Sequence, residues 1–234
     1  MDSLTQVTLG ACVAAACVPP EQRRQAALLG AALGPDAFVG VVSRLDAAVS
    51  GVVVLAKTRP AAASLAEQFR ERSVAKAYAA VVTGRFPAPL GEWVDWHDAI
   101  ARRAGEQRSV LHPAAAARAT GGDEVPRAAH VRARVIRRAG EVSLVELEPS
   151  TGRRHQLRLQ LSSRGCPIVG DRLYGSRLPC RSGGIALHAE RLGLVHPATG
   201  TRVDFAAPYR TAWEKQFPSL FAGQPRASDP SSRG

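Results

Sequence analysis

The hydrophobic pattern changes character several times along the chain. Between Val39 and Ala56, Val and Leu dominate and are interrupted by Arg44-Leu45-Asp46 and Ser50-Gly51, as expected for two strand pieces flanking a tight polar turn. From Pro60 to Arg72 the spacing becomes helical. Leu65 and Phe69 lie four apart, Ala62 and Ala66 likewise, and a proline occupies the first turn, which predicts an amphipathic helix packed on a sheet. Lys76 to Val82 reads as a strand that Gly84 and Pro87-Ala88-Pro89 end. Val131 to Ile136 and Val142 to Leu147 flank Arg137-Arg138-Ala139-Gly140, the signature of a hairpin with a glycine in its turn. His155 to Leu161 alternates like a strand, but Thr151 before it and Gly165 after it supply helix start and stop signals, and a helix is preferred. Residues 185 to 205 read as two strands around His196-Pro197.

Three stretches lack this clarity. Residues 1 to 38 are Ala-rich and predict two short helices broken at Pro19-Pro20, a helical lead-in to the domain that follows. Residues 98 to 129 are rich in Ala, Arg and Gly with little periodicity, and are expected to form an insertion or mobile loop. Residues 224 to 234 are polar with Pro and Ser, the composition of a disordered tail. The expected organisation is one domain over 39–223, of α and β content, with no internal repeat.

Composition narrows the class. The 31 Lys and Arg against 20 Asp and Glu give a formal net charge of +11 over 234 residues, which favours a polyanionic partner. Arg supplies most of that charge, and its planar fork pairs phosphate oxygens or stacks on bases, so nucleic acid is favoured over an acidic membrane. The four cysteines, Cys12, Cys17, Cys166 and Cys180, lack the close pairs of a zinc ribbon and read as free thiols. The apolar run Leu9 to Val18 is too short to span a bilayer and has no basic flank, so neither an anchor nor a signal peptide is expected.

Four segments carry more specific information. They are Ser43-Arg44-Leu45-Asp46-Ala47-Ala48-Val49-Ser50-Gly51 with the trailing Ala56-Lys57-Thr58; Lys76-Ala77-Tyr78-Ala79-Ala80-Val81-Val82-Thr83-Gly84; Thr151-Gly152-Arg153-Arg154-His155-Gln156-Leu157-Arg158, leading into Gly170-Asp171 and Tyr174-Gly175; and Leu187-His188-Ala189 with His196-Pro197. In content and order, over residues 39 to 208, they resemble the HRLDxxTSG, KxYxAxVxG, TGRTHQIR and LHA elements of the RluA-like pseudouridine synthases. Ser43, Val49, Arg154 and Gln160 depart from the family's His, Thr, Thr and His, and the family's opening strand is not recognisable. The resemblance implies an α+β catalytic domain built on a mixed, largely antiparallel central sheet flanked by helices, with a cleft across its middle.

It also implies a chemistry. Isomerising uridine to pseudouridine breaks the N1–C1′ bond, turns the base and joins C5 to C1′, without net redox change, so no cofactor is expected. A carboxylate beside the sugar is needed, as nucleophile or as electrostatic stabiliser. Asp46 on its polar turn is the candidate; a lone turn Asp is usually a cap, and its place within Arg-Leu-Asp reverses that reading. The resemblance assigns Arg158 to an ion pair with Asp46 and Tyr78 to stacking on the flipped uracil, with Arg44 entering the RNA near the extruded nucleotide. Arg153, Arg154, His155 and Gln156 are the expected RNA contacts, the basic residues meeting phosphates. His188 and His196 read as structural hydrogen-bonders, and no metal is expected. The expected partner is ribosomal or transfer RNA, the assembly a monomer, and the compartment the cytoplasm, with an organelle as the alternative. Two rivals remain: a catalytically weak or inactive RNA-binding paralogue, and a glycosidase or nucleoside hydrolase pairing Asp46 with Glu146 or Asp171.

Overall fold

The computed structural model describes residues 38–102, 105–118 and 124–222, together with the backbone of 12–17. The disordered tail expected over 224–234 lies outside the described residues, as does most of the expected helical lead-in. Ten strands form one sheet in the order β1-β3-β9-β4-β8-β7-β5-β6, with β10 added to β9 and β2 to β3. They are β1 (Cys12–Cys17), β2 (Gly40–Val41), β3 (Ser50–Ala56), β4 (Ala75–Thr83), β5 (Val94–Arg102), β6 (Ser109–His112), β7 (Arg127–Ala139), β8 (Val142–Pro149), β9 (Leu187–Val195) and β10 (Arg202–Ala206). Every pairing is antiparallel except β3 with β9. The helices are α1 (Arg59–Arg70), α2 (Gln156–Ser162), α3 (Arg210–Trp213) and α4 (Pro218–Phe221). This is the α+β class with the mixed, largely antiparallel sheet.

Local sequence explains the elements that were legible. Thr58 Oγ1 accepts the Ala61 N–H at 3.3 Å and Pro60 lies in the first turn, so α1 starts at a capped, preset end. Its Ala61 and Leu65 are buried against Val52, Val54, Leu192 and Leu194. The β7–β8 hairpin turns at Gly140, φ 57°, a left-handed conformation that glycine adopts without strain. The larger core lies over β4, β8 and β7, where Val81, Leu144, Val145 and Leu147 pack with Trp213, Phe217, Leu220 and Phe221.

Two expectations are corrected. The Ala-rich run around Leu9 to Val18 is not a helix over Cys12–Cys17: it pairs along β3 from Cys12↔Ala56 to Cys17↔Gly51. An open strand edge offers a ladder of backbone partners, and that tertiary pairing overrides the helical preference of alanine. The stretch 98–129 is not simply an irregular loop. It contains the second half of β5, all of β6, a 3₁₀ turn at Ala114–Ala116 and the start of β7. Its lack of alternation has a cause: Asp98, Ala99, Ile100 and Ala101 are all buried, so the strand shows no polar face to read.

The short parallel contact between β3 and β9 joins the two halves of the chain. Ser50 pairs with His188 and Gly51 with Ala189. Gly51 has φ 124°, and a Cβ there would meet the Ala189 carbonyl oxygen at 2.3 Å. Gly51→Ala should therefore lower the unfolding free energy by about 2–3 kcal/mol. Urea titration would register it as a fall in midpoint without a change in slope.

Candidate active site

The β3–β9 contact sets the floor of a cleft of about 300 Å³. The turn before β3 brings in Arg44 and Asp46, β4 brings Tyr78, β9 brings Leu187 and Ala189, and the segment into α2 brings Arg153, His155 and Arg158. The turn itself is closed by the Val49 N–H donating to the Asp46 carbonyl at 2.9 Å. Its far end is fixed by Ser50, whose hydroxyl meets His188 Nδ1 at 2.8 Å, while His188 Nε2 reaches the Ala207 carbonyl at 3.0 Å. With Nε2 donating to that carbonyl, Nδ1 accepts the serine proton and the imidazole is neutral. Burial lowers the His188 pKa, consistent with that state.

Beneath the cleft sits a chain of charges. Arg158 is buried, and its Nε and Nη2 donate to the two oxygens of Asp171 at 2.7 and 2.8 Å, a bidentate fork. Nη1 donates to Asp46 Oδ2 at 3.3 Å, and the guanidinium lies over the Tyr174 ring at 5.0 Å. Burial opposes the Arg158 charge, but the hydrogen bonds and negative charges of Asp171 and Asp46 outweigh it and hold its pKa above the ordinary arginine value. Asp171 is only 1% exposed. Arg158 thus lies between a sealed carboxylate and a solvent-reachable one.

A second line of contacts reaches Asp46 from the side. The Tyr174 hydroxyl accepts the Ser109 N–H at 3.0 Å and meets His155 Nδ1 at 2.9 Å, and His155 Nε2 stands 3.7 Å from Asp46 Oδ2. Donation from Tyr174 to Nδ1 puts the imidazole proton on Nε2, facing the carboxylate. Burial lowers the His155 pKa, with Arg158 and Arg154 adding to the effect and Asp46 opposing it. Tyr78 faces the same carboxylate. Burial, and then the Asp46 charge, push its hydroxyl up to about 12, so it is a neutral phenol at pH 7.

Comparison with known proteins places the chain in a family. The family model described as RNA pseudouridylate synthase matches residues 15–163. The chain belongs to the RNA pseudouridylate synthase family. It is 38% identical over 168 residues to the dual-specificity RNA pseudouridine synthase RluA of Escherichia coli (strain K12), covering 71% of this chain and 72% of that protein. It is 36% identical over 184 residues to an uncharacterized RNA pseudouridine synthase of Chloroflexus aurantiacus, covering 76% of this chain and 52% of that one. It is 35% identical over 183 residues to ribosomal large subunit pseudouridine synthase D of Zymomonas mobilis, covering 75% and 54%. The chain therefore spans about half the length of the last two. Human RNA pseudouridylate synthase domain containing 1 superposes with a TM-score of 0.64 at 28% identity over 86% of this chain and 81% of that one.

Within this family fold, the residues singled out by sequence do not all reach the cleft. Asp46, Tyr78, Arg158, Arg44, Arg153, His155 and Gln156 line it together. Arg154 is exposed and does not line the cleft; its carbonyl accepts the Ser109 hydroxyl at 3.0 Å. Gln156 is buried with its amide spent internally, accepting from Thr151 Oγ1 at 2.8 Å and the Arg153 N–H at 3.0 Å and donating to the His130 carbonyl at 3.0 Å. These bonds clamp the loop that carries Arg153. Sequence reading left out the tie of Asp171 and Tyr174 to Arg158 and His155, although both lie in the quoted Gly170-Asp171 and Tyr174-Gly175 pieces. It also left out Lys76, which lines the cleft and donates to the Thr151 carbonyl at 3.5 Å.

Two further groups of ionisable residues lie in or near the cleft and on β5 and β7. Among the described residues lining the cleft, Asp46 is the only carboxylate. Glu146 is held by Arg134 at 2.6 Å and Arg191 at 2.6 Å, and Asp171 by Arg158, so the paired carboxylates of a glycosidase are lacking there. Asp95, His97 and His130 place potential metal-ligating atoms within 4.8 Å of one another. The two His rings stack at 4.2 Å, and both His130 nitrogens are engaged by Ser150 and Asp95.

Removing the sealed charge should be felt throughout the site. Asp171→Asn leaves a buried guanidinium without its fork partner, and should lower stability by about 3 kcal/mol in chemical denaturation. Acid should act on the histidines. His155 and His188 have folded pKa values below the unfolded value, so the unfolded chain binds more protons as pH falls, and their contribution to stability, present above about pH 6.5, is lost on acidification. Urea unfolding between about pH 7 and 5 should show this decline, and His188→Gln should flatten it.

Proposed function

We propose that the protein isomerises uridine to pseudouridine in structured ribosomal or transfer RNA, with Asp46 as the catalytic carboxylate. The observation that carries this reading is the single cleft carboxylate held against a buried Arg158 and facing Tyr78. The relatives named above are described as acting on RNA, and one as acting on the ribosomal large subunit.

In this reading the uridine leaves its stack and enters the cleft. Its uracil lies on Tyr78, whose protonated phenol supplies a neutral, polarisable face. Asp46 stands at C1′, as nucleophile or as counter-charge to the sugar while the N1–C1′ bond breaks. Arg158 fixes the carboxylate from below, and the His155 N–H flanks it. The base turns, C5 bonds to C1′, the proton displaced from C5 passes to solvent and N1, released from the sugar, takes one up, so atoms and electrons balance without a cofactor. Arg44 and Arg153 at the mouth meet the RNA backbone. Among the described residues no helix is long and apolar enough to cross a membrane; the protein is proposed to act as a monomer in the cytoplasm.

Tritium release from RNA labelled at uracil C5 tests this. Wild-type protein should release tritium from ribosomal or transfer RNA, and Asp46→Asn should reduce the rate by about a thousandfold or more. Arg158→Lys keeps a charge but cannot span both carboxylates, and should lower kcat by about tenfold or more while RNA affinity changes little. Salt-dependent RNA binding without release by the wild type would instead identify an inactive RNA-binding paralogue.

A further inference from the structure

A second groove, of about 530 Å³, begins where the cleft ends. It shares Lys76, Pro149 and Arg191 with the cleft and continues past Arg72, Arg132 and Arg202. Three of its cations already have carboxylates: Arg191 meets Glu146 at 2.6 Å, Arg202 meets Asp204 at 3.2 Å and Arg132 meets Glu148 at 3.7 Å. The other two do not. Among the described residues the Arg72 guanidinium has no hydrogen-bond or ion-pair partner, and the Lys76 ammonium has only the Thr151 carbonyl at 3.5 Å.

Arg72 also occupies a position where the backbone favours glycine. At the end of α1 the Ser73 N–H donates to the Gln68 carbonyl at 3.0 Å and the Arg72 N–H to the Phe69 carbonyl at 3.3 Å. This is a Schellman ending, and its left-handed residue is Arg72 with φ 61°. A long cationic side chain at that site adds strain that glycine would avoid, and among the described residues no hydrogen bond or ion pair of its guanidinium offsets it. Its charge also acts on its neighbours. It depresses the pKa of Lys76, after the larger effect of burial, and that of Arg153, after burial and the repulsion of Arg127. Arg127 Nε is itself buried without a partner. Glu148 and Asp204 line the same groove but are held by Arg132 and Arg202, so Arg72 and Lys76, which no carboxylate pairs, form a seat for an anion.

We propose that Arg72 and Lys76 bind a backbone phosphate of the RNA strand flanking the target uridine, so that the strand leaves the cleft along this second groove. The proposal rests on the isomerase assignment of the cleft and names a strand path that the cleft alone does not define. Lys76, lining both cavities, sits where the path turns from one to the other, and Arg72 meets the same phosphate from the second groove.

The position allows an unusual test, because Arg72→Gly removes the charge and relieves the backbone together. Binding of a labelled, uridine-containing stem–loop RNA is measured by fluorescence anisotropy over a salt series, beside thermal unfolding of the same samples. Arg72→Gly and Arg72→Asn, both tolerant of the left-handed site, should keep or raise Tm. They should weaken binding about threefold to tenfold near physiological salt and reduce the salt slope by about 0.7, the value for one single-strand phosphate contact. Arg72→Lys should keep the slope. Unchanged affinity and slope in both Gly and Asn variants, with tritium release by the wild type intact, would overturn the strand path and leave the isomerase assignment standing. Loss of tritium release in the wild type itself would instead remove the assignment on which the path depends.

Discussion

A guanidinium sealed beneath the cleft has to be matched by carboxylates, and much of the molecule is arranged to supply them. Arg158 lies on α2, a helix of seven residues, too short to hold itself in water. It begins after His155 at φ 55°, without a side-chain cap. Tertiary side-chain bonds hold it instead. Gln156 is tied to Thr151 and His130, Arg158 to Asp171, Gln160 to Asp98 at 2.7 Å, and Ser162 Oγ to the Tyr174 carbonyl at 2.6 Å. The helix and its ion pair therefore depend on each other. Burying Arg158 is tolerable only because the fork is satisfied, and the fork is satisfied only because α2 is pinned opposite Asp171.

The other half of the site comes from far earlier in the chain. The turn bearing Asp46 is clamped onto β9 and the segment before it: the Ile185 N–H donates to the Ala48 carbonyl at 3.0 Å, Ser50 bonds His188, and Gly51 lies against Ala189. A Cβ on Gly184 would meet the Ala48 carbonyl oxygen at 2.4 Å, so the approach there is as close as at Gly51. A parallel contact of two residues adds little sheet energy by itself. Its effect is positional: the first and fourth sequence segments are held side by side, and Asp46 arrives over Arg158 at hydrogen-bonding distance.

How much of this was legible depended on whether the cause was local. Thr58 and Pro60 for α1, Gly140 for the β7–β8 turn and the Val-rich runs of β3 and β4 act within a few residues, and the corresponding elements appear where sequence placed them. The polar turn with Asp46, Tyr78 on its strand and Arg158 on a helix were likewise readable, and they share one cleft. What was misread had distant causes. Cys12–Cys17 is a strand because β3 presents an edge, and the second half of β5 lacks alternation because both its faces are covered. Gln156 looks like an accessible polar residue in a basic cluster until Thr151 and His130 are seen to consume its amide. Asp171 lies thirteen residues from Arg158, and nothing between them in sequence announces the pairing.

The proposed function requires a polyanion to be admitted beside a carboxylate, and that requirement sets a condition on the charge around Asp46. A phosphate near Asp46 repels it, by about 2 kcal/mol at roughly 8 Å and an effective dielectric near 20. Arg158 cannot offset that repulsion alone, because Asp171 already balances its charge from below, leaving the Asp46–Arg158–Asp171 group with one net negative charge. The compensation has to come from cations on the rim that are not consumed by neighbouring carboxylates. Arg44, Lys76 and Arg153 occupy that rim, while Arg191, also at the cleft, is held by Glu146. In the proposed reaction, phosphates held at that rim leave the interior to the base and sugar, and the charge partition that protects the carboxylate matches a substrate whose negative charges lie outside the reacting nucleoside, as in a nucleotide within a strand.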